Sequence, residues 1–198
     1  MALEEHEIQS FRESGVFKLF PKLRKGLLHR TSIEGYRGIR QAGYIFPNQG
    51  QFPYSYPQSK FYYSHSKGYV CLFDFESAEE EDCIAIHLTW GHFFSDHKPA
   101  TVVLRLNRQV LGNDLIPNSA APKLGSQDFK SYIPYVEAWH PKPVPVSAID
   151  GYIITMWNSR TFETMFYEFS KEEVEKFEET LNVIEETWRS LSKGGVSP

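Results

Sequence analysis

Two cysteines, Cys71 and Cys83, are too few to build a disulfide framework, which points to a reducing, cytoplasmic setting. Neither belongs to a Cys-x-x-Cys pair and no His-Glu-x-x-His run is present, so no metal is expected. His87, His92 and His97 recur at a spacing that falls on no single helix face. Glycine-rich phosphate loops of the Walker or Rossmann type are missing. No apolar run approaches the length of a membrane span, and the polar, acidic start MALEEHEIQSFRESG does not read as a secretory signal. Positive charge is not in excess: the formal net charge is −4, which argues against bulk binding to nucleic acid through phosphate neutralisation.

What the chain does have is aromatic content, with 15 Phe, 11 Tyr and 4 Trp, enough to fill a core and to line a pocket for flat rings. Its 198 residues suit one domain rather than two, and no linker or repeat divides residues 1–198. Charge is unevenly spread. Lys22, Arg24, Lys25, Arg30, Arg37 and Arg40 crowd one stretch against the single acid Glu34, while acids dominate after Glu163. Such a strip suits either a phosphate-bearing ligand or a solvated face.

Leu27–Thr31 reads as a strand. Ser32 then caps a helix carrying Ile33, Tyr36 and Ile39 at helical spacing, and Gly43 stops it. Phe46–Ser59 reads as a loop of prolines and aromatics, suited to a lid. Lys60–Ser64 and Tyr69–Phe75 look extended, Glu76–Asp82 reads as an acidic turn, and Cys83–Trp90 fits strand or helix. Strands are expected at Ala100–Leu106, Ile133–Trp139 and Gly151–Trp157, with a loop over Asn107–Gln127. A C-terminal amphipathic helix is expected over 171–191, from Val174, Phe177, Leu181, Ile184 and Trp188, opened by a Ser170–Glu173 capping box. The expected class is α+β, with mostly antiparallel strands and flanking helices.

Glu137 is a lone carboxylate at the end of a strand-like run. Set beside a sugar, it stabilises oxocarbenium charge, as a glycosidase carboxylate does; set at a strand end, it equally faces solvent. His29 and Thr31 fall on one face of their strand, where His29 can donate to a ribose hydroxyl or be satisfied by backbone. Tyr62, Tyr63 and Tyr69 can stack on a ring or simply pack, and Ser64 can bond an amide.

In order along the chain, these segments resemble the ADP-ribosyltransferase fold, nearer its diphtheria-toxin-like (His-Tyr-Glu) side and its nucleic-acid-modifying toxins. The matching segments are His29-Arg30-Thr31, the helix ending Ala42-Gly43-Tyr44-Ile45, Phe61–Tyr69, Val102–Asn107, and Val136-Glu137-Ala138-Trp139 with Val144-Pro145. The resemblance covers about residues 27–157. Arg30 stands where the family has glycine, Tyr135 stands where arginine-modifying members have an acid, and a Ser-Thr-Ser signature is missing. The resemblance implies split antiparallel sheets and NAD as substrate. It further implies Glu137 as the catalytic residue, and His29, Arg30, Thr31, Tyr62, Tyr63, Ser64 and Tyr69 as NAD-binding residues. ADP-ribose would pass to a protein or nucleic-acid acceptor that the residues do not identify; a toxin role is compatible, and no membrane partner is implied. A non-catalytic module on the same fold is one alternative. An RNA 2'-phosphotransferase-like enzyme using Arg30, Arg37 and Arg105 is another.

Overall fold

The computed structural model describes residues 4–51, 62–76, 78–89, 97–120, 132–133, 135–158 and 163–193. Six strands form one antiparallel sheet: β1 (Leu27–Ser32), β3 (Val70–Asp74), β4 (Thr101–Leu106), β5 (Glu137–His140), β7 (Ile149–Asn158) and β8 (Glu163–Ser170). Their spatial order is β5-β3-β1-β4-β7-β8. A two-stranded ladder pairs β2 (Tyr44–Ile45) with β6 (Val144–Pro145). Among the described residues there are seven α-helices: α1 (Glu5–Glu13), α2 (Gly15–Leu23), α3 (Ile33–Ala42), α4 (Tyr63–Lys67), α5 (Glu80–Thr89), α6 (Arg108–Leu111) and α7 (Val174–Lys193). The class is α+β, and none of these helices is long and apolar enough to cross a membrane.

Both faces of the sheet are buried. On one, Leu27, Leu72, Leu104 and Ile154 pack under Tyr36 of α3 and Phe177 and Leu181 of α7. On the other, Leu28, Phe73, Val103 and Ile153 pack under Phe11 of α1, Leu19 and Leu23 of α2, and Ile84 of α5. This two-sided cover explains why β4 reads as a continuous apolar run, TVVLRL, rather than as an alternating one.

The capping signals act as the sequence suggests. Ser32 accepts from Gly35 N–H at 3.0 Å, and Gly43 ends α3 in the left-handed region at φ 76°. Ser170 and Glu173 form the expected box ahead of α7. Gly35, which intrinsically weakens a helix, is required by packing: a Cβ there would overlap Thr31 Oγ1.

Several expectations are corrected. Of the extended run expected over Lys60–Ser64, residues 60–61 lie outside the described residues, and Tyr63 and Ser64 belong instead to the helix Tyr63–Lys67, closed by Gly68 at φ 66°. Cys83–Thr89 belongs to α5, and the acids Glu80, Glu81 and Asp82 form its first turn, where they meet the positive end of the helix dipole. The strand expected over Ile133–Trp139 begins only at Glu137, because Tyr135 turns the chain with φ 69°. Strand β8 and helices α1 and α2 were not anticipated. Of the expected loop, residues 52–59 lie outside the described residues, as do 121–127 of the next one.

Candidate active site around Glu137

The sheet divides between β1 and β3. These strands pair only at Leu27↔Asp74 and Leu28↔Phe73. Past that point β1 stays with β4 through Ser32, while β3 stays with β5 up to Val70↔His140. His29 spans the gap. Its Nδ1–H donates to the Cys71 carbonyl at 3.0 Å, so a side chain replaces the missing ladder bond. A carbonyl only accepts, which fixes the neutral tautomer and leaves Nε2 as an acceptor. Burial, together with nearby Arg30 and His97, pushes the imidazole down to about 4 despite the Cys71 bond. The expectation that His29 donates to a sugar hydroxyl is therefore corrected: at neutral pH its second nitrogen accepts.

Strand register sorts the remaining residues. Leu28 and Phe73 share a face, and Phe73 pairs with Glu137. Alternation puts Arg30, Cys71, Glu137 and Trp139 together on that face. His29 and Thr31, which pair with Leu104 and Val102, point to the opposite face. Of His29, Arg30 and Thr31, all expected at the site, Arg30 shares the face of Glu137 and the other two point away from it.

Glu137 is 1% exposed, not at the surface. Ile133 N–H donates to Oε2 at 2.7 Å, and the Trp139 indole N–H donates to Oε1 at 2.8 Å. The Cys71 thiol also bonds the carboxylate, and Ser64 bonds that thiol. Burial pushes the Glu137 carboxyl up to about 7, against the opposing pull of these donors and of the Arg30 charge. Burial, and next the Glu137 charge, push the Cys71 thiol well up, so it is a donor rather than a nucleophile.

The turn that presents Glu137 is held by Asn118. Its Nδ2 donates to the Glu137 carbonyl at 3.0 Å and the Ile133 carbonyl at 3.3 Å, while Oδ1 accepts from Tyr135 N–H at 3.2 Å. Asn118, Cys71 and Trp139 were not anticipated. Trp139 had a readable signal, since it sits two residues past Glu137 on a strand and must share its face. Asn118, about twenty residues away in a turn, had none.

The tyrosines separate. Tyr63, 5% exposed, packs edge-on against Trp139 with ring centroids 4.7 Å apart and against Tyr69 at 6.2 Å. Tyr132 meets Trp139 at 5.8 Å. Tyr69 and Tyr62 are half-buried, whereas Ser64 is buried.

Most of the basic strip is neutralised within the chain. Lys22 and Lys25 pair with Glu168, Arg37 with Glu185, and Arg40 with Glu178, while Arg24 lies over the Phe20 ring. The strip thus ties α2 and α3 to β8 and α7, and Arg30 is its member facing Glu137. Compared with known proteins, the chain matches no family model, no curated protein and no solved structure.

Proposed function

We propose that the protein is an NAD-dependent ADP-ribosyltransferase. The observation that carries this reading is Glu137, a carboxylate held out of water, on a face shared with Arg30, beside the point where the sheet divides. With Ile133, Trp139 and Cys71 as donors, the carboxylate keeps one of its about four lone-pair sites, enough to accept a ribose hydroxyl. Ionised, Glu137 offsets the positive charge that develops on the ribose as nicotinamide leaves, and a dry site strengthens that effect. In this reading Tyr69, half-buried beside the buried Tyr63, would stack on the nicotinamide. Ribose reaches Glu137 only when the residues covering it open. The acceptor is a protein or nucleic-acid group.

A non-catalytic module is favoured by one observation, the full enclosure of Glu137 by its own chain. The phosphotransferase reading loses two of its arginines, since Arg37 pairs with Glu185 and Arg105 with Asp150 and Glu168.

The test is nicotinamide release from NAD, with cell lysate as acceptor source. Glu137→Gln is expected to lower turnover by about 10²–10⁴-fold in a folded protein. An unchanged rate removes Glu137 from the chemistry.

A further inference from the structure

The large sheet has two edges, and the chain closes one of them. At β5, four residues long, Trp139 exchanges both backbone bonds with Ile116, at 2.8 and 2.9 Å. The other edge, β8, is eight residues long, contains no proline, and runs beside β7 through eight consecutive pairs without a bulge. Gly15 of α2 lies against its start, at the Thr164 backbone. Among the described residues, no backbone group of residues 165–169 bonds outside the β7 ladder. Proteins blunt such an edge with proline, bulges, inward charge or a covering segment, because unpaired N–H and C=O groups accept a further strand. The inward charge of β8, Glu168, is already paired with Lys22, Lys25 and Arg105. Met165 and Tyr167 are exposed, at 37% and 42%, on the face that α7 covers further in.

The order of residues along β8 specifies its occupant. When β8 pairs antiparallel with β8 of a second copy about a two-fold axis, residues that face each other share a side of the sheet. With Tyr167 on the axis, Met165 faces Phe169, Thr164 faces Ser170, and Phe166 faces Glu168 of the other copy. Glu163 then faces Lys171, the residue after the strand, and symmetry repeats that opposite-charge pair. Both side chains are exposed in the single chain. An axis at Glu168 would instead set that acid against itself and Glu163 against Glu173. An axis at Phe166 would set Glu163 against Phe169.

We propose that β8 pairs antiparallel with β8 of a second copy of this chain, joining two sheets across a two-fold axis at Tyr167. The exposed Tyr167 ring then packs on its counterpart, and Met165 is covered by Phe169 of the other copy. Glu137 lies on β5, at the opposite edge of the sheet, so this pairing stands apart from the transferase chemistry.

The test is sedimentation velocity of the full chain from about 1 to 300 µM, because an interface built on one strand is small and is expected to dissociate in the micromolar range. Tyr167→Lys sets like charges directly opposite each other and is expected to weaken the dimer about tenfold. Glu163→Lys and Lys171→Glu are each expected to weaken it severalfold, and the two together to restore it, since the exchanged charges match again. Circular dichroism checks that each variant is folded; should Tyr167→Lys fail to fold, the charge-reversal set decides. A wild type that stays monomeric to the top of the concentration range, a dimer that folded Tyr167→Lys leaves intact, or a double reversal no tighter than the single changes would each overturn the proposal.

Discussion

Glu137 is held by opposing forces: burial favours its neutral form, while Ile133, Trp139, Cys71 and Arg30 favour its charge. The balance, about 7, lies above the ordinary value of 4.5. Between these values the folded chain holds a proton that the unfolded chain has lost. Stability therefore falls as pH rises from the unfolded value towards about 7 and levels off above it, a loss on the order of 3 kcal/mol from this group. Glu137→Gln should abolish that slope, as read from urea unfolding at a series of pH values. The amide has one acceptor oxygen for the three donors Ile133, Trp139 and Cys71, so below pH 5 the variant should be less stable than wild type by about 1–3 kcal/mol. An unaltered slope would mean that Glu137 titrates alike in the folded and unfolded states, so that burial does not raise it.

Side-chain contacts between elements hold the turn before β5 and the β4–β7–β8 part of the sheet in place. Asn118→Ala removes three bonds from the turn before β5, so it should destabilise by about 1–3 kcal/mol and lower turnover without altering any charge. Full activity in a folded Asn118→Ala protein would show that the turn does not position Glu137. On the same face, towards the β7–β8 edge of the sheet, Arg105 lies over Gly151 and pairs with Glu168 at 2.9 Å. A Cβ at residue 151 would overlap the guanidinium, so Gly151→Ala should lose about 1–3 kcal/mol in urea unfolding. Elements announced by local signals were legible in the sequence: β1 and α3 through Ser32 and Gly43, α7 through its period and box, and β4 through its branched run. Strand β8 was hidden because its pattern is diluted by exposed Met165 and Tyr167 on an edge strand. Helix α4 was hidden because five aromatic and polar residues carry no helical period.

At the scale of the molecule, class and strand direction were readable, because hydrophobic periodicity is set locally. The site was readable only in part. Glu137 was picked out as a lone acid at a strand, but its surroundings depend on register between β1, β3 and β5, and a shift of one residue exchanges faces. That is why Arg30 shares its side while its neighbours His29 and Thr31 do not. The central claim is that ionised Glu137 drives cleavage of NAD, and the most direct test is the rate of nicotinamide release as a function of pH. The expected rate rises as pH increases through about 7 and then levels, following ionisation of Glu137. No release at any pH, or a rate flat from pH 5 to 9 that persists in Glu137→Gln, contradicts it.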